Sequence, residues 1–261
     1  MIERISPDWL GAPHNICAFS TVRSGGASKA PCDDGNGHGG LNLGAATVDD
    51  PSAVLENRRR LRACLPAEPV WLKQVHGSTV VDAAHVATLA SPVAADASFT
   101  TAHDVVCAVL SADCLPVLLC DLRGTIVGAA HAGWRGLASG VLQNTVAAMR
   151  SAGGRDLMAW LGPAIGPAHF EVGAEVHAVF VDRDGRANAA FRKLPGPGDK
   201  YLADLYALAR LALADSGVQR IAGGDHCTVT ETTRFFSYRR DHETGRAASL
   251  IWMRRASHCT A

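Results

Sequence analysis

The chain has 261 residues, with 25 Lys and Arg against 25 Asp and Glu, 48% hydrophobic residues and 19% charged residues. This composition is typical of a globular protein and excludes a disordered or fibrous chain. The formal net charge of zero provides no broad basic field for nucleic acid or an anionic membrane, so an anionic substrate would need a local binding site.

The first residues, MIERISPDWLGAP, contain Glu3 and Asp8 and no apolar run behind a basic end. They do not have the pattern of a secretory signal, and the expected location is cytoplasmic. Asp113 and Pro116 interrupt the most apolar stretch, residues 107–120, and no segment has the ~18 uninterrupted apolar residues of a membrane helix. The eight cysteines include no CxxC pair, which argues against a disulfide framework or a structural zinc knuckle.

Short apolar runs and stretches of helical spacing alternate along the chain. Residues 24–44 are rich in Gly and predict a long loop. Apolar runs with β-branched residues then predict buried strands of one common sheet. These strands are expected at residues 105–110, 116–120, 125–130 and 157–161.

A helix is predicted to follow from Leu137, because apolar residues recur there at helical spacing until Gly153 and Gly154 end the pattern. Strand, helix and strand over residues 125–161 predict a βαβ unit with a right-handed crossover, whose strand ends are the usual place for a site. The remaining predicted elements are a loop at 182–200, a helix at 201–216 and an extended segment at 218–228. The predicted class is α+β, in one domain over residues 1–261.

Three segments place a His or Cys beside Gly or Pro at the edge of an apolar run: KQVHG with His76, SADCLP with Cys114 and HAGWRG with His131. Their spacing along the chain is too long for a zinc knuckle. It suits three neighbouring strands that each contribute one residue to a common site at the strand ends. Two imidazoles and one thiolate form a donor set that Zn²⁺ accepts, with the fourth tetrahedral position open to water or substrate. Two capped histidines and a buried thiol are the structural alternative.

A metal-free alternative makes Cys114 a nucleophile that His131 or His76 activates. A blue copper site has less support, because none of the Met residues lies within a short loop of Cys114. A trinuclear copper cluster has less still, because no HxH pair occurs in the chain.

Two acids are candidates for proton transfer. Glu171 lies in HFE, which fits half of the zinc deaminase signature, although no PCxxC follows it. It is a candidate general acid or base, and a solvated loop carboxylate is the alternative. Asp113, directly before Cys114, either orients a ligand His or caps a turn.

Basic residues beside glycines and aromatics suggest an anion site. In HAGWRG, backbone N–H groups, a helix N-terminus and the Arg135 guanidinium could hold phosphate, whereas a tight turn with a surface Arg is the alternative. FFSYRRD and TGR add Arg239, Arg240 and Arg246. Arginines at such places clamp phosphate, stack on a base or simply form ion pairs.

Together, QVHG, ADCLPVLL, HAGWRG, GPAIGP followed by FEVG, and FFSYRRDHETGRAASLIWM resemble the YfiH family, also called the laccase-domain or polyphenol oxidase family. The resemblance runs from TVRSGG at residues 21–26, through LNLG and DDP, to Trp252, and so covers nearly the whole chain. The metal-binding residues of that family fall on His76, Cys114 and His131.

The resemblance implies a single-domain α/β sandwich with mixed sheets, similar to the cysteine-hydrolase fold of certain deamidating toxins, in a zinc-binding cytosolic protein. Members are associated with phosphorolysis of adenosine, inosine, guanosine and methylthioadenosine, with adenosine deamination, and with an older description as copper-dependent laccases. Residues 32–40 look longer than the usual approach to LNLG, so His38 is either an extra ligand or a bystander.

The leading hypothesis is therefore a purine nucleoside phosphorylase that also deaminates adenosine. It uses Zn²⁺, with copper as the alternative, and its partners are a nucleoside and phosphate rather than nucleic acid or a membrane. Two further hypotheses are a copper oxidoreductase acting on phenols and a metal-binding protein without turnover, the latter if residues 24–44 close the pocket. The expected phosphate-binding or substrate-binding residues are Arg23, Arg135, Arg239 and, from LNLG, Asn42.

Overall fold

The computed structural model describes residues 2–255. Its strands are β1 (Arg4–Ile5), β2 (Ile16–Thr21), β3 (Ser24–Ser28), β4 (Pro69–Val70), β5 (Val80–Asp82), β6 (Ala97–Thr100), β7 (Val106–Ser111), β8 (Leu115–Asp121), β9 (Val127–Ala132), β10 (Leu157–Leu161), β11 (Glu171–Gly173), β12 (Phe191–Lys193), β13 (Lys200–Ala203), β14 (Arg220–Gly223) and β15 (Ala247–Met253). Its helices are α1 (Pro51–Arg62), α2 (Ala83–Val86), α3 (Trp134–Ala138), α4 (Val141–Ser151), α5 (Ala174–Val181), α6 (Leu205–Asp215) and α7 (Tyr238–Asp241), with a 3-10 helix at Gly185–Ala190.

Two large mixed sheets form the centre of the fold. One has the strand order β1-β2-β15-β7-β4 and the other β14-β10-β8-β9-β6-β5, and β11, β13 and β12 form a small third sheet. Each large sheet combines antiparallel pairs with at least one parallel pair, β4 with β7 in the first and β10 with β14 in the second. The predicted mixture of α and β elements is thus confirmed.

The continuous apolar run of β8 follows from its burial on both faces. Leu118 and Cys120 belong to the core between the two large sheets, whereas Val117 and Leu119 face the core formed with α4 and α6. Successive side chains of a strand point to opposite faces, so a strand covered on both sides needs apolar residues at every position. A third core, around Phe19 and Leu61, covers the outer face of the five-stranded sheet beneath α1.

The four predicted strands are present as β7 to β10, but their assignment to one sheet is wrong. β8, β9 and β10 share the six-stranded sheet, whereas β7 pairs with β15 and β4 in the other. The partner β15 lies far along the chain, and such a pairing leaves no local sequence signal. The turn after Ser111 therefore carries the chain from one sheet to the other.

The predicted βαβ unit is present with an added strand. β9 and β10 each run antiparallel to β8, which lies between them, so β9 and β10 are parallel. The single helix predicted from Leu137 is two helices, α3 and α4. Gly140, with φ of 86°, breaks the helix between them because its left-handed backbone cannot continue a right-handed helix.

Three other predictions need correction. The predicted helix at 201–216 begins only at Leu205, because residues 200–203 pair with β11 and β12 as β13. The extended segment predicted at 218–228 is a strand only over β14. The predicted loop at residues 24–44 contains β3. The predicted loop at residues 182–200 contains the 3-10 helix and β12. No helix within residues 2–255 has the length and apolar character needed to cross a membrane.

Candidate metal centre

The structure brings His76, Cys114 and His131 together, with one ligand atom from each lying within 4.8 Å of the others. The two imidazole rings are 4.9 Å apart between centroids and meet edge to face at 74°. His131 is buried, Cys114 half-buried and His76 exposed. The group is therefore open to solvent on the His76 side.

The pairing of β8 with β9 explains why Cys114 and His131 meet. Pro116 lies opposite His131 in this antiparallel pair, so the turn that contains Cys114 projects beside the end of β9. On the other side of β9, Ala97 of β6 lies opposite Ala130, and the backbone N–H of His131 donates to the carbonyl of Asp96 at 2.7 Å. Three strand ends thus meet at one rim of the six-stranded sheet.

Asp96 holds the two histidines, and sequence reasoning missed it. Its carboxylate lies 2.9 Å from Nδ1 of His131 and accepts backbone N–H bonds from His76 at 2.8 Å and Gly77 at 2.7 Å, with Val75 at 3.1 Å. The side chain is fully buried. A carboxylate on Nδ1 fixes the ring orientation and leaves Nε2 for a metal, but no local motif marks this isolated aspartate.

The backbone of the loop is shaped for these contacts. His76 adopts a positive φ of 60°, a conformation that is uncommon outside glycine and is held here by the bonds to Asp96. Gly133 lies against the thiol, because a Cβ at that position would be 2.7 Å from Sγ of Cys114. Only glycine leaves room for the sulfur at this point.

Cys114 and His131 form a charge pair. Burial raises the pKa of the Cys114 thiol, but the positive charge of His131 and hydrogen bonds from His131 and His76 outweigh burial, and the net pKa is lowered. Burial lowers the pKa of His131, and the Cys114 thiolate and Asp96 carboxylate reverse this effect and raise it. In the metal-free site, the thiolate and imidazolium stabilise each other. A thiolate with two imidazoles fits the donor preference of Zn²⁺, and copper uses the same donor types.

Asp113 cross-links three segments beside Cys114. Its carboxylate accepts hydrogen bonds from Oγ1 of Thr228 at 2.5 Å and from the backbone N–H of Arg239 at 2.6 Å. Its carbonyl accepts from the N–H of Ile165 at 2.9 Å. Within residues 2–255, these bonds tie Asp113 to the loops around the site, and the residue that orients His131 is Asp96 instead.

Glu171 lies at the start of β11 with an exposed side chain that pairs with Nζ of Lys200 at 2.5 Å. The hydrogen bond and positive charge of Lys200 lower the pKa of this carboxyl. Glu171 is thus a solvated, ionised carboxylate, and the structure does not bring it into the His–Cys–His group. Its role in proton transfer stays a prediction.

The predicted phosphate-binding arginines differ in the hydrogen bonds that their guanidinium groups form within the protein. Arg23 is buried, donates to the carbonyls of Asp33 and Thr232, and lies over Phe236. Arg239 is exposed, but its guanidinium donates to the carbonyls of His169 and Glu171 at 3.2 and 3.1 Å. A carboxylate oxygen of Asp33 also lies 3.5 Å from Nη2 of Arg23, so Arg23 is committed to internal contacts.

Arg135 is exposed and lies over the ring of Trp134 at 4.5 Å. It belongs to α3, whose five residues form little more than one turn and contribute only a small helix dipole. The helix N-terminus predicted in HAGWRG is therefore that of a short helix, and Arg135 would act mainly through its own charge.

Asn42 is fully buried with both polar atoms of its side chain satisfied. Its Oδ1 accepts from the N–H groups of Gly44 and Arg246 at 2.9 and 2.8 Å, and its Nδ2 donates to Thr47 and Asp49. In this arrangement its amide does not face solvent, and Asn42 organises the backbone near Arg246. Its contact with a substrate stays a prediction.

The other cysteines and His38 lie apart from the metal group. His38 is exposed and pairs with Asp34 at 3.4 Å, and it is not a member of the group found within residues 2–255. The described cysteines are all free thiols, and Cys259 lies outside the described residues. A cavity of about 330 Å³ lies elsewhere, between the N-terminal segment and β2.

Comparison with known proteins agrees with the motif resemblance. The sequence model of the family described as multi-copper polyphenol oxidoreductase laccase matches residues 17–254. A purine nucleoside phosphorylase of Escherichia coli is 51% identical over 258 residues, which cover 97% of this chain and 100% of that protein. A purine nucleoside phosphorylase of Pseudomonas aeruginosa is 51% identical over 95% of this chain and 98% of its own.

Among solved structures, a Neisseria meningitidis protein is 48% identical, with a TM-score of 0.87 over 97% of this chain and 99% of its own. The similarity in sequence and structure therefore extends over the whole described fold and is not limited to the motifs around the metal group.

Proposed function

This chain belongs to the family described as multi-copper polyphenol oxidoreductase laccase, and we propose that it is a purine nucleoside phosphorylase. The observation that carries the proposal is its 51% identity, over nearly the full length of both chains, to proteins named purine nucleoside phosphorylase. The substrates in this proposal are adenosine, inosine, guanosine and methylthioadenosine, together with inorganic phosphate.

In this reaction a phosphate oxygen attacks C1′ of the ribose, the bond from C1′ to the purine nitrogen breaks, and the purine leaves with the bonding electrons. The products are the free base and ribose 1-phosphate. The protein must hold the phosphate on one side of C1′ and stabilise negative charge on the leaving purine. The open side of the metal group at His76 is the proposed place for the nucleoside.

His76, Cys114 and His131 are the residues that would hold a metal ion, with Zn²⁺ proposed and copper as the alternative. When bound, Zn²⁺ supplies positive charge and a water of lowered pKa. Asp96 keeps His131 in the ligating orientation through its 2.9 Å contact. Arg135 and Arg239 are the proposed phosphate clamp. Both are exposed: Arg135 lies in α3, directly after the strand that ends at His131, and Arg239 lies in α7, where its backbone N–H bonds to Asp113 next to Cys114.

Adenosine deamination belongs to the same proposal. Water adds to the amino-bearing purine carbon, ammonia leaves, and inosine forms, so one group must take a proton from water and return it to the leaving nitrogen. Asp113 and Glu171 are the proposed proton carriers. Asp113 is nearer in sequence to Cys114 but is engaged by Thr228 and Arg239, whereas the carboxylate of Glu171 is exposed.

A copper oxidoreductase acting on phenols is the second candidate, and the family description is the observation that favours it. Within residues 2–255, one group of three ligands is found. Four-electron reduction of oxygen needs a cluster of several copper ions, so this candidate has weaker physical support. A binding protein without turnover has less support too, because His76 is exposed rather than closed off.

We also infer that residues 1–261 form one domain, with a sandwich similar to the cysteine-hydrolase fold. The core shared by the two large sheets supports one domain. The pairing of a half-buried thiol with an imidazole supports the likeness to cysteine hydrolases, which use such a pair for catalysis.

The test is incubation of purified, metal-quantified protein with adenosine, with and without phosphate, followed by chromatography of the products. Adenine and ribose 1-phosphate that appear only with phosphate establish phosphorolysis, and inosine without phosphate establishes deamination. Cys114→Ala should lower both rates more than about 100-fold, because loss of a ligand costs more than loss of a group that merely orients one. Cys107→Ala, which removes a thiol from a strand interior, is the matched control and should retain activity.

Absence of both products from the wild-type protein would overturn the proposed function. Oxygen uptake with a phenol by copper-loaded protein would then favour the oxidoreductase. Wild-type turnover by Cys114→Ala would remove the thiol from the mechanism.

A further inference from the structure

Arg246 lies beside the turn that carries Cys114. It directly precedes β15, whose first residue, Ala247, is paired with Ser111 at the end of β7. The turn with Asp113 and Cys114 begins immediately after Ser111. Burial lowers the pKa of Arg246, and the charge of Cys114 is the largest of the opposing influences, which agrees with this proximity.

The guanidinium of Arg246 is half-buried, and within residues 2–255 no carboxylate pairs with it. Its Nη1 donates to the carbonyls of Thr244 and Gly245 at 2.9 and 3.0 Å, and its ring partner is Tyr238 at 5.9 Å. Neutral carbonyls satisfy N–H groups but do not cancel a full positive charge. An arginine keeps its charge in a protein, so Nε and Nη2 remain as donors for an anion.

Arg240, in the same segment, is an arginine whose positive charge is balanced by a neighbouring carboxylate. Its Nε and Nη2 form two bonds of 2.7 Å with the carboxylate of Asp241, and its other donors reach the carbonyls of Thr228, Val229 and Phe235. Arg240 is therefore a structural ion pair. Arg246 is also half-buried, but in the part of the chain that the structure describes it forms no ion pair with a carboxylate.

The backbone around Arg246 is fixed by the LNLG segment. The N–H of Arg246 donates to the buried Oδ1 of Asn42 at 2.8 Å, and its carbonyl accepts from the N–H of Leu43 at 3.0 Å. The side chain packs on Gly44, where a Cβ would be 2.7 Å from Cγ of Arg246. A charged group held by so many contacts loses little freedom when it binds a ligand, which favours affinity.

We propose that Arg246 is a further phosphate-binding group of this site, in addition to Arg135 and Arg239, and that Asn42 and Gly44 position it there. The ligand class is a tetrahedral phosphate oxyanion, because a guanidinium presents parallel N–H donors that match two of its oxygens. The assignment to inorganic phosphate rests on the proposed phosphorylase function. The phosphate group of a nucleotide has the same chemistry and is the other possible source.

Binding is measured by isothermal titration with orthophosphate and, separately, with adenosine 5′-monophosphate. The variants are Arg246→Met and Arg246→Lys. Arg246→Met keeps the approximate length of the side chain without its charge, and Arg246→Lys keeps the charge without the parallel N–H donors of the guanidinium. Arg254→Met is the matched control, because Arg254 flanks the opposite end of β15 and donates to the carbonyl of His14.

Arg246→Met should weaken orthophosphate binding by about tenfold or more, since one lost charge-assisted pair is worth at least that factor. Arg246→Lys should lie between Arg246→Met and the wild type, and Arg254→Met should match the wild type. Unchanged binding by Arg246→Met, or no orthophosphate binding by the wild type, would overturn the proposal. Binding of the nucleotide alone would overturn the assignment to inorganic phosphate.

Kinetics separates this proposal from the proposed function. Arg246→Met should raise KM for phosphate while KM for the nucleoside stays near the wild-type value. If the wild type binds orthophosphate through Arg246 but forms no ribose 1-phosphate, the phosphorylase function fails and the anion site stands. If phosphorolysis occurs and Arg246→Met leaves KM for phosphate unchanged, the function stands and the role of Arg246 is wrong.

Discussion

Cys107 and Cys120 lie inside β7 and β8, whereas Cys114 lies in the turn between these two strands. Burial raises the pKa of each strand thiol to about 12. Burial acts in the same direction on Cys114, yet the charge of His131 and the hydrogen bonds from both histidines lower its pKa. The strand interior thus keeps its thiols protonated and inert, and the rim of the sheet produces a thiolate.

This difference follows from the polar partners that each place allows. Cys107 and Cys120 both belong to the apolar core between the two large sheets, and within residues 2–255 no positive charge opposes the effect of burial on their pKa. At the rim, three strand ends converge and Asp96 brings two imidazoles to one sulfur. Reactivity therefore depends on Asp96 as well as on the cysteine, and the predictions below test this dependence.

Among the tests of this dependence, the largest effect is expected for Asp96→Asn. An amide cannot accept from three backbone N–H groups and one imidazole as a carboxylate does, so His131 and the loop of His76 lose their orientation. Zn²⁺ affinity should fall about 10- to 100-fold, as measured by competition with a chromophoric chelator.

Asp121→Asn is the control for the loss of a buried carboxylate. Asp121 is also fully buried and holds a turn by bonds to Thr125 and Ile126, but these bonds lie away from the metal group. This variant should lose stability and retain Zn²⁺ affinity. An equal fall in affinity for both variants would show that Asp96 acts only through general stability.

A several-fold effect is expected for alkylation of Cys114 in metal-free protein. At pH 7 iodoacetamide should modify Cys114 several-fold faster than free glutathione, because its greater thiolate fraction outweighs the lower nucleophilicity of a low-pKa thiol. Since its pKa is lowered, the rate should change little from pH 7 to pH 9 and fall in acid. Mass spectrometry of the modified peptides gives the rate for each cysteine.

His131→Gln should move this pH profile of Cys114 alkylation towards higher pH, because the variant removes the imidazolium that stabilises the thiolate. Cys107 and Cys120 should stay unmodified in the folded protein. A Cys114 rate that rises from pH 7 to pH 9 in parallel with glutathione would contradict the prediction.

The smallest effect is expected in alkaline stability. The raised pKa of Cys107 and Cys120 means that the folded state retains protons that the unfolded chain releases above about pH 8.5. Their contribution to stability is complete below that pH, and it is lost at up to about 1.4 kcal/mol per pH unit and thiol as the pH rises towards the folded pKa.

Urea unfolding at pH 8, 9 and 10 should therefore give a shallower decline in the free energy of unfolding for Cys120→Ala than for the wild type. Cys64→Ala, which removes an exposed thiol, should leave the slope unchanged. Identical slopes for all three proteins would show that the strand thiols ionise as freely when folded as when unfolded.

Local patterns were sufficient for some parts of the fold and insufficient for others. Apolar runs located β7 to β10 because strands buried on both faces have an unbroken apolar sequence. The same runs did not separate β7 from β8 into different sheets, because partner choice depends on β15, more than a hundred residues away. The break at Gly140 was missed because apolar spacing continues through it.

Some residues of the candidate site could likewise be predicted from the local sequence, and others could not. His76, Cys114 and His131 were grouped from residue chemistry and their places at the edges of apolar runs, and the structure brings them within 4.8 Å. Asp96 was missed because it is a single acid before a short strand. Arg23 and Arg246 look alike as arginines near glycines. The structure distinguishes them, because Nε, Nη1 and Nη2 of Arg23 all donate to carbonyls and Asp33 lies 3.5 Å away, whereas only Nη1 of Arg246 donates to the protein.

By itself, the sequence determined the α+β class, the central strands and the residues able to bind a metal, because apolar periodicity and side-chain chemistry are local properties. The tertiary structure alone decided which strands share a sheet, which carboxylate orients His131 and, within residues 2–255, that no carboxylate forms an ion pair with Arg246. These depend on long-range register and on enclosure, since a charge is compensated or free only with respect to groups that folding brings beside it.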